Sequence, residues 1–157
     1  MRTSVPPKPG ALQQCNERSE QSPGCSGLCT LRAAPEKLVI HFLGDTAFGM
    51  CGLDLETAVR ERIPVLTVLV NNGVMGGYER WIPVASQKYR SRHLGGDYTR
   101  VAEGLGVVAE RVTQPSEIVP ALRRALAVVS PDSEARAGRP ALVEFITREE
   151  TRLSKPW

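Results

Sequence analysis

Two short apolar runs, separated by a segment with helical periodicity, constrain the fold of this chain more than any other feature. Residues 38–43 and 65–70 are almost continuously apolar, and each run ends in a turn signal. The signal is a Gly-Asp pair after the first run and an Asn-Asn-Gly tripeptide after the second. Short apolar runs bounded in this way are typical of strands buried on both faces of a parallel sheet. We therefore expect two buried strands here.

The segment between the two runs predicts a helix that follows a Gly-containing loop and ends at Pro64. Its apolar residues recur at helical spacing; they are Leu55, Ala58, Val59 and Ile63. Glu56 and Arg60 stand four residues apart on the outer side, where an ion pair supports a helix. A strand, a helix and a strand in about 35 residues form a βαβ unit, whose two strands run parallel.

The same alternation continues toward the C-terminus. A less regular stretch, 74–96, precedes a helix that we predict from the capping residue Asp97 to about residue 105. A strand over 107–112, a helix over 115–129 and a strand over 141–147 follow. The predicted fold class is α/β, an open and mostly parallel sheet with helices on both faces.

Length and composition fit one soluble domain of this kind. The chain has 157 residues, of which 41% are hydrophobic and 24% charged. No apolar run approaches the roughly 20 residues that span a bilayer, and no secretory signal is visible, so we expect a cytoplasmic protein that is not in a membrane. The net charge of +3 comes without a block of Lys or Arg, which argues against nucleic acid as a partner.

The first 36 residues differ in composition from the rest. They contain no aromatic residue and no isoleucine, and they are rich in Pro, Ser, Gly and Gln, so they offer little apolar surface to bury. We predict a disordered or irregular leader over 1–36, a domain over 37–150 and a short tail over 151–157. The leader carries three cysteines without a nearby His, and we interpret these as reduced thiols rather than as a zinc site. Whether the leader is native to the domain stays open.

The ends of the first two strands are the candidate site, because open α/β sheets bind ligands at the carboxyl ends of their strands. If these strands are neighbours, the Asp45 carboxylate and the Asn72 amide oxygen lie side by side. Two such oxygens and a nearby backbone carbonyl suit Mg²⁺, and the turn at Gly44 leaves backbone N–H groups that can face a phosphate. The residues alone predict a magnesium-diphosphate site.

A second Gly-Asp pair in the chain shows how much the context matters. Gly96 and Asp97 follow a polar segment instead of a strand, and no Asn pair lies downstream, so this copy is interpreted as a helix cap. Asp45, in contrast, follows a strand, and Asn72 stands 27 residues further along the chain.

Residues 44–50, with 56–60 and 71–73, carry a resemblance to a known family. They resemble the thiamine diphosphate motif of the acetolactate synthase and 2-oxoacid decarboxylase superfamily. Their Asp-Thr-Ala-Phe-Gly sequence is most similar to that of the branch with the oxalyl-CoA decarboxylases and the 2-hydroxyacyl-CoA lyases. The resemblance runs from about residue 37 to 148 and covers the carboxy-terminal, cofactor-binding domain of that family.

The resemblance implies thiamine diphosphate and Mg²⁺ as cofactors. Asp45 and Asn72 would bind the metal through their side chains, and Val74 through its backbone carbonyl. The residues that would contact the cofactor are Gly44, Asp45, Thr46, Ala47, Asn72, Val74, Met75, Gly76 and Gly77. Where this chain has Thr46 the family more often has Gly, which is a tolerable change unless the backbone there needs a positive φ.

The resemblance also implies what a complete enzyme would do. The family acts on 2-oxo acids or on 2-hydroxyacyl and oxalyl thioesters, by decarboxylation, C–C cleavage or carboligation. Its members are several times longer than this chain, and another domain of theirs carries the glutamate that activates the cofactor. No catalytic residue is therefore assigned here. We expect the isolated chain to be inactive, and to form a homo-oligomer or to associate with a chain that carries the missing pyrimidine-binding domain.

Two other interpretations compete with this one. The chain could instead be a truncated, non-catalytic fragment that binds little or no cofactor. A generic nucleotide-binding domain is less favoured, because such a domain has a G-x-G-x-x-G turn after its first strand and this chain has none there. Tyr78 and Trp81 fit either a role in closing over the cofactor or a place in an interface.

Overall fold

The computed structural model describes residues 38–130 and 138–149. The predicted leader over 1–36 and the predicted tail over 151–157 lie outside the described residues. Within the described ranges, no helix is long and apolar enough to cross a membrane.

The described chain alternates strands and helices, as the apolar periodicity predicts. The strands are β1 (Val39–Gly44), β2 (Val65–Asn71), β3 (Val108–Val112) and β4 (Ala141–Ile146). The helices are α1 (Asp45–Cys51), α2 (Asp54–Arg60), α3 (Tyr78–Trp81), α4 (Pro83–Tyr89), α5 (Tyr98–Gly104) and α6 (Ile118–Val129), with a 3₁₀ turn, Pro115–Glu117, before α6. Asp97 caps α5, since its side chain accepts a hydrogen bond from the Arg100 N–H.

The four described strands form one parallel sheet in the order β1-β2-β4-β3. β1 pairs directly with β2, as the site prediction requires, and Gly44 lies opposite Val70 at the carboxyl ends of the two strands. β4, the last described strand, inserts between β2 and β3. The predicted α/β class with a parallel sheet is therefore confirmed.

Two apolar clusters, one on each face of the sheet, form the core. On one face α1, α2 and α5 cover the sheet, with Phe48, Ala58 and Ala102 among their buried residues. On the other face α6 packs with Ala121 and Ala125. The buried apolar residues of β2 are divided between the two clusters, since neighbouring side chains of a strand point to opposite faces of the sheet. Helices thus lie on both faces of the sheet.

The prediction of a loop after β1 was wrong, because α1 begins there at Asp45 and α2 follows it closely. Gly49 lies within α1 and Gly52 directly after it, so the glycines that suggested a loop belong to a short helix whose buried Phe48 packs on the sheet. The less regular stretch 74–96 likewise contains α3 and α4. In α1, tertiary packing of Phe48 outweighs the weak helix propensity of glycine.

The prediction that β1 is buried on both faces was also wrong for the described part of the chain. Ile40 and Phe42 are 53% and 70% exposed, whereas Leu43 is buried. β1 is an edge strand of the described sheet, and α6 packs on the three other strands, so no described element covers this face of β1. β2, which lies between other strands, is buried as predicted, and β4, also an inner strand of the described sheet, is buried over most of its length.

Candidate functional site

A cleft of about 430 Å³ opens at the carboxyl ends of β1 and β2. Its walls come from the start of α1, from the end of β2 and from the loop that follows β2. The lining residues are Gly44, Asp45, Thr46, Ala47, Met50, Val70, Asn72, Val74, Met75, Gly76 and Tyr78. The cleft occupies the place where the sheet topology predicts a ligand site.

Asp45 is the first residue of α1, and only 3% of it is exposed. Its Oδ1 accepts a hydrogen bond from the Thr46 N–H at 2.7 Å, and its Oδ2 accepts one from the Gly73 N–H at 2.7 Å. No Lys, Arg or His of the described residues forms an ion pair with this carboxylate. Two neutral donors hold a buried carboxylate whose charge no described cation balances.

The loop after β2 is folded against Asp45 by short-range hydrogen bonds. The Gly73 N–H donates both to Asp45 and to the Asn71 Oδ1, at 3.0 Å. The Asn72 Oδ1 accepts from the Val74 N–H at 3.1 Å, which curls the loop around that amide. Gly73 has a φ of +69°, a left-handed conformation that glycine adopts without strain.

A second segment supports this loop from behind. Val74 and His93 form an isolated antiparallel bridge, in which the Leu94 N–H donates to the Gly73 carbonyl at 2.9 Å and the Met75 N–H donates to the Arg92 carbonyl at 2.8 Å. These bonds use the groups on either side of Val74, so the Val74 carbonyl faces away from the supporting segment. The bridge leaves this carbonyl unused, and Val74 is among the residues that line the cleft.

Arg92 fastens the supporting segment to the rest of the domain. Its guanidinium pairs with Glu79 of α3 at 3.2 Å and with Glu149 just beyond β4. Its side chain is only 18% exposed, which makes these pairs less screened than surface ion pairs. The loop that carries Asn72 and Val74 is therefore held on both sides.

The donors around the cleft suit a hard divalent cation. Of the described residues that line it, Asp45 alone has a charged side chain, and none is a Lys or Arg. In the described ranges no three His, Cys, Asp or Glu residues cluster in a way that could hold a metal, so a zinc-type site is not found there. One carboxylate, one amide oxygen and one backbone carbonyl are oxygen ligands of the kind that Mg²⁺ takes, with further positions left to water or phosphate.

The Tyr98 hydroxyl lies near the Asp45 carboxylate, whose negative charge affects its pKa. Burial, and then the charges of Asp45 and Glu144, raise the pKa of its hydroxyl above the ordinary value of 10.0. Its ring also packs edge-on against Phe48 of α1, with ring centroids 5.4 Å apart. α5 thus contributes to the packing beneath the cleft.

The structure brings together eight of the nine residues predicted to contact the cofactor; only Gly77 is absent from the lining. Gly77 instead has a φ of +83° and precedes α3. Thr46 has no positive φ, so its side chain brings no backbone strain. The role of these residues in binding stays a prediction.

Sequence reasoning missed two lining residues, Met50 and Val70, and left the role of Tyr78 open. Met50 falls in the segment predicted as a loop, and recognition of α1 would have placed it one turn along from Thr46. Tyr78 lines the cleft, whereas Trp81 is 83% exposed and does not.

Comparison with known proteins agrees with the fold. A family model of the thiamine pyrophosphate enzyme, C-terminal TPP binding domain, matches residues 21–145. A solved structure, the thiamine diphosphate-dependent 4-hydroxybenzoylformate decarboxylase of Rhodococcus jostii RHA1, superposes with a TM-score of 0.63 at 25% identity. That match covers 81% of this chain and 23% of the decarboxylase.

Curated relatives show the same partial coverage. The acetolactate synthase large subunit of Corynebacterium glutamicum is 32% identical over 127 residues, which are 76% of this chain and 19% of that protein. The glyoxylate carboligase of Escherichia coli O157:H7 is 31% identical over 144 residues, which are 84% of this chain and 23% of that protein. The chain spans about a fifth of the length of these relatives. By its family match and its fold, the chain belongs to the thiamine pyrophosphate enzymes and corresponds to their C-terminal TPP binding domain.

Proposed function

We propose that the cleft holds the diphosphate of thiamine diphosphate through a Mg²⁺ ion bound by Asp45, Asn72 and Val74. The observation that carries this proposal is the Asp45 carboxylate, which is 3% exposed and has no described cation beside it. Burial of an unpaired carboxylate is costly, and a divalent cation offsets that cost. A diphosphate alone would meet only the negative charge of Asp45, so the metal must accompany it.

The other lining residues have distinct roles in this proposal. Thr46 and Ala47 lie in the first turn of α1 and would face the phosphates; the Thr46 N–H already donates to the Asp45 Oδ1, whereas the Ala47 N–H has no backbone acceptor within the helix. Met75 and Gly76 border the cofactor from the loop, and Met50 and Tyr78 supply apolar wall. When bound, thiamine diphosphate supplies the electron sink for the chemistry, and the protein residues bind and orient it.

We further propose that the enzyme acts on 2-oxo acids or on 2-hydroxyacyl or oxalyl thioesters, by decarboxylation, C–C cleavage or carboligation. The names of the relatives, an acetolactate synthase and a glyoxylate carboligase, support this class. We also propose that turnover requires an activating glutamate supplied by a second chain with the pyrimidine-binding domain; among the described residues, the lining of the cleft contributes no carboxylate other than Asp45. Decarboxylation of pyruvate by the purified chain alone would refute this requirement.

A series of cofactor fragments tests the diphosphate site. In the presence of Mg²⁺, we expect thiamine diphosphate to bind the full chain, and thiamine monophosphate and thiamine to bind at least about tenfold more weakly, a difference of about 1.4 kcal/mol. The reason is that the proposed contacts go to the metal-bound diphosphate. Titration calorimetry measures all three. Equal affinity for thiamine and thiamine diphosphate would assign the cleft to another ligand.

A further inference from the structure

A buried carboxylate outside the cleft is connected to the loop of the proposed metal site. Glu144 lies in the middle of β4 and is fully buried. Its Oε1 accepts a hydrogen bond from the Asn71 Nδ2 at 2.7 Å. Its Oε2 accepts from the Thr99 Oγ1 at 2.6 Å and from the Arg111 Nε at 2.9 Å. The Arg111 guanidinium balances its charge, and the three donors occupy both of its oxygens.

The contact with Asn71 fixes which way that amide points. A carboxylate flanked by Arg111 accepts hydrogen bonds, so the amide nitrogen of Asn71 must face Glu144. The amide oxygen then faces the opposite direction, where it accepts from the Gly73 N–H at 3.0 Å. That same N–H donates to Asp45. A continuous set of hydrogen bonds thus runs from Glu144 to the buried carboxylate of the cleft.

We infer that Glu144 is a positioning residue: by orienting Asn71 it holds Gly73, and with it the loop, in the conformation that presents Asn72 and Val74 to the metal. This inference rests on the proposed function. Glu144 is not among the residues that line the cleft, so it would contact neither the metal nor the cofactor. Hydrogen-bonded partners of metal ligands commonly change metal affinity 10- to 100-fold when they are lost.

Exchange of the Glu144 carboxylate and the Asn71 amide distinguishes a positioning role of Glu144 from a contribution to core stability alone. In Glu144→Gln, a new amide nitrogen faces the amide nitrogen of Asn71; in Asn71→Asp, two carboxylates face each other. The double variant restores the pair, since the new amide at position 144 would donate to the new carboxylate at position 71 while its oxygen accepts from Thr99 and Arg111. We expect each single change to lower the Mg²⁺ affinity at least about tenfold at fixed thiamine diphosphate, and the double variant to return within about threefold of the wild type.

Two measurements on the full chain decide the outcome. Calorimetry gives the Mg²⁺ affinity, and hydrogen exchange of the Gly73 amide, measured without ligand, is expected to be faster in each single variant and slowed again in the double variant. Glu110→Gln is the matched control: Glu110 also pairs with an arginine, Arg124 of α6, but in a partly exposed pair away from the cleft, and its loss should leave both readouts unchanged.

The possible results distinguish the inference from the function on which it rests. Wild-type chain without Mg²⁺-dependent binding would contradict the proposed function itself. Wild-type binding that survives in folded Glu144→Gln, or a double variant no better than the weaker single variant, would overturn the positioning role. If Glu144→Gln does not fold, Asn71→Ala keeps the pair between Glu144 and Arg111, and unchanged Mg²⁺ affinity in that variant would overturn the role equally.

Discussion

Replacement of Asp45 by alanine is expected to lower the affinity for thiamine diphosphate in the presence of Mg²⁺ at least about 100-fold, or about 2.8 kcal/mol. Among the described residues that line the cleft, Asp45 has the only charged side chain, so its removal takes away the one anionic ligand proposed for the metal. The free energy of unfolding should change by less than about 1 kcal/mol. The loss of two hydrogen bonds is offset because an unbalanced buried charge disappears.

Binding calorimetry of Asp45→Ala is compared with that of a control variant that loses a carboxylate on the surface. Glu56→Gln removes a carboxylate from α2, where it pairs with Arg60 on an exposed helix face, and such pairs contribute little to stability. This control should bind as the wild type does. Tight, metal-dependent binding by Asp45→Ala would contradict the assignment of the metal to this residue.

Replacement of Gly52 by alanine is expected to cost about 2 kcal/mol of stability. Gly52 is buried just after α1, and a Cβ there would lie 2.6 Å from the Phe48 carbonyl oxygen and 2.8 Å from the Phe48 ring. The oxygen cannot move independently, because it accepts the hydrogen bond of the Gly52 N–H at 2.7 Å. Phe48 belongs to the core beneath the cleft, so the clash must displace either helix or core.

Gly49→Ala is the control, because it makes the same chemical change three residues earlier, inside α1. A Cβ at Gly49 meets nothing within 4 Å, and alanine favours a helix over glycine by up to about 1 kcal/mol. Urea denaturation should therefore show Gly49→Ala as stable as the wild type or more stable, and Gly52→Ala as clearly less stable. Equal losses in the two variants would contradict the steric explanation.

Much of the fold follows from local sequence pattern. The apolar runs 38–43 and 65–70 predict β1 and β2, and Asp97 predicts the start of α5 through its capping chemistry. α1 could not be predicted in the same way, since two glycines within and beside seven residues argue locally against a helix that the core stabilises. The exposure of Phe42 depends on which elements pack on β1, and no periodicity within the strand carries that information.

The candidate site was likewise predicted from the sequence only in part. Asp45 and Asn72 were predictable because both follow strands, and parallel neighbours bring their carboxyl ends together. The connection from Glu144 to Asn71 was not predicted, because it joins residues 73 positions apart through strand pairing. A signal was present, however: Glu144 stands alone in the apolar run of β4, and a charged residue in a buried strand needs a partner.

Titration of thiamine diphosphate into the full chain, once with Mg²⁺ and once with a chelator that removes divalent metal, tests the central claim most directly. The charge of the cleft decides the outcome: Asp45 alone repels a diphosphate, whereas Asp45 with Mg²⁺ attracts it. We predict binding heat with Mg²⁺ and no measurable heat with the chelator. Heat of equal size in both titrations would contradict the metal site.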